Sequence, residues 1–137
     1  MSTRSQAAHI DLGVLMALAY GQFVAELRAQ LAAEGFDDLG RSDGYVFRAL
    51  AAEALTTSEL AERLRISKQG AGQIVADMQG RGYVEGRPDP TDRRARRLHL
   101  APRGERALAA ARRFHQRYER RLRREFPCRS RRPTSCP

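Results

Sequence analysis

LTTSELAERLRISKQGAGQIVADMQGRGYVEGRPDPTDRRARRLHLAPRG, running from Leu55 to Gly104, decides how this chain folds. Its first half has helical apolar spacing. Thr56-Thr57-Ser58 opens a helix that either Thr57 or Ser58 can cap, with Leu60, Ala61 and Leu64 as its buried stripe. Arg65-Ile66 makes a tight turn. Ser67 caps the next helix, whose inner face is Ala71, Ile74, Val75 and Met78, and Gly80 and Gly82 close it. The period then drops to two. Residues 83–87 and 96–100 read as strands, and Pro88 to Asp92 is turn chemistry, so a hairpin with a long tip is expected. Two short helices, a tight turn between them and a following hairpin make a winged helix-turn-helix.

Working outward, Ser42 is a cap for a helix over about residues 43–53, with Val46, Phe47 and Leu50 facing inward. Residues 10–33 read as one long helix that Gly35 stops. Tyr20, Phe23, Val24, Leu27 and Leu31 form one apolar row, and Ile10, Val14, Leu18 and Gly21 a second beside it. So wide an apolar surface calls for cover on two sides, by the domain core and by a partner chain. On the other flank Pro102 opens a helix at the position where proline is tolerated. Leu108, Ala111, His115, Tyr118 and Leu122 form a seam for packing on another helix, and the opposite faces are dense in arginine. The fold expected is mainly α with a small β-hairpin wing. A single domain of residues 1–126 has its winged core at about 41–101, dimerisation helices at about 10–33 and 102–126, and a disordered basic tail at 127–137.

Charge follows the same division. The 137 residues carry a net charge of +9, and Lys68 is the one lysine among 25 basic residues. Residues 1–86 hold 8 basic and 11 acidic groups, whereas residues 87–137 hold 17 and 5. An excess so concentrated points to a polyanionic partner, nucleic acid before an anionic membrane. The order of elements places specific residues against DNA. A recognition helix enters the major groove by its N-terminal turn, and Ser67, Lys68, Gln69 and Gln73 occupy that turn and the next one on the outward side; glutamine pairs with adenine in bidentate fashion and lysine reaches guanine or phosphate. Gly70 and Gly72 cost helix stability, and their use is close approach to the DNA backbone or to the preceding helix. At the hairpin tip Arg93, Arg94, Arg96 and Arg97 cluster, and an arginine on a narrow loop suits the minor groove. Asp89 and Asp92 have the wrong sign for DNA; Asp92 orients an arginine or caps the turn.

Other functions find little purchase. His9, His99 and His115 lie in different elements, without a neighbouring nucleophile or carboxylate, so no enzyme is expected. There is no phosphate-binding glycine loop and no metal-ligand spacing, so neither cofactor nor metal is expected. Cys128 and Cys136 form no disulfide framework, and a core without cysteine fits a reducing cytoplasm. No apolar run approaches the ~18–20 residues of a membrane span, and no membrane partner is expected. The alternative to sequence-specific recognition is a basic protein that binds nucleic acid without sequence preference.

The stretch from Leu55 to Gly104 resembles the DNA-binding core of MarR-family transcriptional regulators. The DPTDRR wing and the LHLAPRG that follows are its most specific parts, and the likeness extends more weakly to both flanking helices. The resemblance implies a homodimeric winged-helix repressor or activator. It implies terminal helices that build the dimer, here Ile10, Val14, Leu108, Ala111, His115, Tyr118 and Leu122. It implies double-stranded DNA as partner, read as a near-palindrome, and a small phenolic or other aromatic effector, for which Tyr20, Phe23 and Tyr45 are the candidate contacts. Carried over, Ser67, Lys68, Gln69, Gly70 and Gln73 match the recognition helix. Asp92 and Arg94 match the wing's Asp-x-Arg, with Arg94 in the minor groove and Arg93 and Arg96 on phosphates. The chain departs from the family at Arg65, where a small residue is usual, and at Ala101, where a threonine cap is usual. It departs again in its Arg/Pro/Cys-rich end, where the family continues into a further helix.

Overall fold

The computed structural model describes residues 11–126. Ile10 and the tail from residue 127 therefore lie outside the described residues. The elements are α1 (Leu12–Ala33), α2 (Asp43–Ala52), α3 (Thr57–Leu64), α4 (Lys68–Gly80), β1 (Val84–Pro88), β2 (Arg96–Leu100) and α5 (Pro102–Glu125). The chain divides into two compact units, Met1–Asp38 and Leu39–Pro137.

The first unit is α1 and its stop. Gly35 takes a left-handed φ of +90°, its amide donates to the Ala32 carbonyl, and the Phe36 amide donates to the Leu31 carbonyl at 2.9 Å. This is the paired C-terminal closure in which a left-handed residue satisfies the last carbonyls. Leu31 and Phe36, its hydrophobic pair, are both buried. The N-terminal half of the helix is open, whereas Phe23, Val24 and Leu27 are half-buried. Leu12, Val14, Leu15, Met16, Leu18 and Tyr20 are all exposed, and Leu31 is the one buried residue within α1. By length and composition α1 also reaches the range of a membrane span, with an 18-residue window of mean hydropathy 1.2. The expectation that no run approaches that range is corrected here: small residues between the apolar ones keep the average high.

The second unit is the winged helix. α3 is held at its start by a reciprocal box. Glu59 N donates to Thr56 Oγ1 at 3.2 Å, and Thr56 N donates to Glu59 Oε2 at 2.8 Å. The cap is thus Thr56, not Thr57 or Ser58, because only Thr56 has a glutamate three residues on to return the bond. α3 ends at Arg65, which takes the left-handed conformation (φ 55°, ψ 44°). Its amide donates to Glu62 and that of Ile66 to Ala61, the same closure that Gly35 makes. α4 closes the same way on Gly82, with φ +77°. Ser42 precedes α2 but accepts no capping bond. Asp43, the first residue of α2, instead ties back the loop before the helix by accepting the Gly40 amide at 2.8 Å.

β1 and β2 pair antiparallel, with Val84 opposite Leu100 and Pro88 opposite Arg96. Strand β1 begins one residue later than the sequence pattern suggests, because Tyr83 is drawn into the core. Tyr83 is fully buried and meets Phe47 edge-on, with ring centroids 5.6 Å apart. The Arg103 guanidinium lies 4.4 Å from its ring centroid and that of Arg81 5.4 Å. Arg81 in turn donates to buried Asp43 at 2.8 Å and pairs with Asp77, and these carboxylates hold its guanidinium charged, with a pKa above the usual arginine range. The Tyr83 carbonyl accepts from Ala101 N at 3.0 Å, where α5 begins. Packing there is so close that a Cβ on Gly104 would stand 2.2 Å from the Tyr83 oxygen.

Candidate nucleic-acid interface

α4 has two faces. Ala71, Val75 and Met78 are buried, and Ser67, Lys68, Gln69 and Gln73 are exposed. Ser67 Oγ accepts the Gly70 amide at 3.0 Å, so the cap fixes the turn that carries the polar residues. An α-helix leaves its first-turn amides without intrahelical acceptors, which suits a phosphate at that end. Gly70 and Gly72 differ. A Cβ on Gly70 would stand 3.1 Å from the Ser67 hydroxyl, whereas on Gly72 it would meet nothing within 4 Å. Neither glycine is required by a close approach of the preceding helix, so that part of the expectation is corrected.

The wing is built around a buried carboxylate. Asp89 Oδ1 accepts from the Thr91 amide at 2.8 Å and the Thr91 hydroxyl at 2.7 Å. Asp89 Oδ2 accepts from Arg97 Nε at 2.8 Å. The two Thr91 bonds, with Arg97 beside them, hold the Asp89 carboxyl down at about 2. Arg97 also donates to the Ala54 carbonyl at 2.8 Å and to Glu59 at 3.3 Å. It is therefore turned inward, away from the arginine cluster that its sequence position suggests. Beside it Leu98 N donates to the Leu55 carbonyl at 2.7 Å, and the wing is bridged to the segment before α3. Asp92 Oδ1 accepts the Arg94 amide at 2.9 Å, which shapes the tip and leaves Arg93 and Arg94 exposed. Arg96 is exposed too, but its guanidinium donates to the Gly86 carbonyl at 2.7 Å.

Comparison with known proteins agrees with this geometry. Residues 37–95 match the sequence pattern of the MarR family. The fold is that of its solved members: a mutant of MarR from E. coli is 20% identical, with a TM-score of 0.62 and 87% of each chain covered. MepR of S. aureus in a DNA complex is 15% identical, with a TM-score of 0.66, covering 83% of this chain and 90% of that one. Among curated proteins, the exopolysaccharide II synthesis transcriptional activator ExpG of Rhizobium meliloti is 25% identical over 118 residues. Those residues are 86% of this chain and 61% of that relative, so the chain spans less than two thirds of its length.

The MarR-like core supplies some of the expected flanking residues and not others. On α5, Leu108 is only 6% exposed, so it belongs to the unit's own core and has no face to offer a partner chain. Phe114, which the sequence reading passed over, is buried with it and stacks at a tilt on Tyr118 at 5.6 Å. Ala111, His115 and Tyr118 are half-buried and Leu122 is exposed. His115 Nε2 lies 3.3 Å from an Arg48 guanidinium nitrogen, and burial, followed by the Arg48 charge, lowers its pKa below the usual histidine value. Of the effector candidates, Tyr20 and Tyr45 are exposed and Phe23 is half-buried. Among the described residues no group of three or more His, Cys, Asp and Glu is placed to hold a metal ion.

Proposed function

We propose that the chain is a DNA-binding transcriptional regulator that acts as a homodimer on a near-palindromic operator. One observation carries the reading. The capped, polar first turn of α4 and the arginine tip of the wing are exposed on the same unit, and Arg97 and the Leu55–Leu98 bridge set their spacing. Lys68, Gln69 and Gln73 read base edges in the major groove, with Ser67 and Gly70 at the phosphate. Arg94 enters the minor groove, Asp92 fixes its backbone, and Arg93 and Arg96 meet phosphates. MepR, in its DNA complex, lends the fold-level analogy.

The dimer uses the open apolar surface of α1 around Val14 together with Ala111, His115, Tyr118 and Leu122 of α5. Exposed apolar side chains of that kind, on each unit taken by itself, are what a homodimer interface covers. A small aromatic or phenolic effector, contacting Tyr20, Phe23 or Tyr45, shifts the dimer between operator-competent and incompetent forms. Repression is the sign proposed, although the relative ExpG is an activator; where the operator lies relative to the promoter sets the sign. The protein works in the cytoplasm, where its DNA is.

Footprinting on DNA upstream of its own gene, at moderate salt and with competitor DNA, tests the reading. The expected result is a protected two-fold symmetric site with half-sites about one helical turn apart. Protection without symmetry, or without sequence preference, overturns it.

A further inference from the structure

The recognition surface leaves the strongest charge of the molecule unused. Arg106, Arg113, Arg117, Arg120 and Arg124 recur along α5 at seven-, four-, three- and four-residue steps, and all five are exposed. At about 100° per residue they fall within about 60° of arc, and the row runs about 27 Å along the helix. It lies nearly opposite the seam of Ala111, His115, Tyr118 and Leu122, so a dimer built on that seam leaves the row open. Glu105, Glu119 and Glu125 all fall outside the arc. At its C-terminal end the row opens into a groove of about 410 Å³ lined by Arg117, Arg120, Arg121, Arg124 and Glu125.

We infer that this row is a sequence-independent docking surface for the phosphate backbone of duplex DNA, separate from the winged-helix interface. Its chemistry selects that occupant. Every cation in it is an arginine, whose planar fork pairs with phosphate in bidentate fashion. No large apolar side chain of α5 falls in the arc, because Leu108, Phe114, Tyr118 and Leu122 are on the other side. A protein interface needs an apolar centre, which the row lacks; an interfacial membrane helix needs a free apolar face, and on α5 Leu108 and Phe114 are already buried in the unit's own core. Single-stranded nucleic acid calls for open aromatic platforms, but on α5 Phe114 is buried and the Tyr118 ring lies under the Arg121 guanidinium at 4.5 Å. Regularly spaced cations on a straight rod match the regularly spaced charges of a duplex. The surface adds affinity without adding sequence information, so it holds the regulator on DNA beyond the operator.

The test is an Arg117→Gln, Arg120→Gln, Arg124→Gln triple variant of the full chain. Glutamine keeps helix propensity, and a Lys triple variant keeps the charge. Binding is measured against salt on a long duplex lacking the operator and on a short duplex carrying it. For the Gln variant on the long duplex, the slope of log affinity against log salt is expected to fall by about 2 to 3. The Lys variant retains the slope, and binding to the short operator duplex is unchanged. An unchanged slope in the Gln variant overturns the inference. So does loss confined to anionic phospholipid vesicles or to polyglutamate, which would assign the row to a membrane or an acidic protein. The inference does not rest on sequence-specific recognition. If the wild type shows no operator preference, the proposed regulator fails, while the slope on the long duplex still decides this surface.

Discussion

Arg97 reaches Asp89 across the base of the wing at 2.8 Å, and the same guanidinium holds the Ala54 carbonyl before α3. One side chain therefore couples the wing tip to the helix-turn-helix. The carboxylate end of that link titrates. Asp89 has its pKa near 2, below its ordinary 3.8. A depressed carboxyl contributes stability that is fully present above the unfolded value and is lost as pH falls through the folded one. Asp89→Asn is therefore expected to melt below the wild type at neutral pH. That gap should narrow from about pH 4 downward and close only below about pH 2. Thermal melts of both proteins across that range check it; a gap that does not vary with pH would remove the ionic role.

Gly104 gives a prediction of opposite sign to helix propensity. In an open helix, glycine to alanine stabilises by about 1 kcal/mol. At Gly104 the added carbon would stand 2.2 Å from the Tyr83 carbonyl oxygen, which is backbone and cannot swing away. Gly104→Ala is expected to destabilise by about 1–3 kcal/mol, as overpacking does. Gly72→Ala, with nothing within 4 Å, is expected to stabilise by about 0.5–1 kcal/mol. Denaturant melts of the pair give both signs. If Gly72 serves close approach to DNA, its stabilised variant binds operator more weakly.

Arg65 occupies the left-handed position that Gly35 and Gly82 fill at the ends of α1 and α4. Left-handed backbone costs a residue with a Cβ about 1–2 kcal/mol, and glycine loses part of that advantage through its freer unfolded chain. Arg65 is exposed, so its side chain contributes no core packing. Arg65→Gly is expected to raise stability by about 0.5–1 kcal/mol. A denaturant midpoint that falls instead would mean that the arginine makes up the difference elsewhere.

What the sequence could disclose divides along the same lines. The helices and the hairpin follow from local periods, and Ser67, Gly82 and Pro102 sit where their own chemistry puts them. Thr56 was legible too, through Glu59 three residues on, but the run of three hydroxyl residues hid which one caps. Arg97 was not legible. It stands in a row of four arginines around the tip, and its partners Ala54 and Glu59 are 43 and 38 residues away. No local pattern separates an inward arginine from an outward one. Leu108 illustrates the same limit on α5. It has the spacing of the exposed seam, yet it lies at the end of the helix nearest the wing, where the unit's own core covers it.

The exposed site residues divide by role, and that division can be measured. Gln73 sits on the outward face of α4, one turn beyond the cap, where a bidentate contact to adenine discriminates by about 1–3 kcal/mol. Gln73→Ala should lower affinity for the operator while leaving non-operator affinity in place, so specificity at one base pair relaxes. Arg94 acts through groove shape and charge. Arg94→Ala should weaken binding most where the minor groove beside the half-site is narrow, and it should lower the salt slope by about 1. Binding titrations on operator variants, substituted singly in the major-groove half-site and in the flanking A-tract, separate the two. Equal loss on every sequence from both substitutions would show that α4 and the wing do not share the reading in this way. A Gln73→Ala effect confined to the salt slope would place that glutamine at a phosphate.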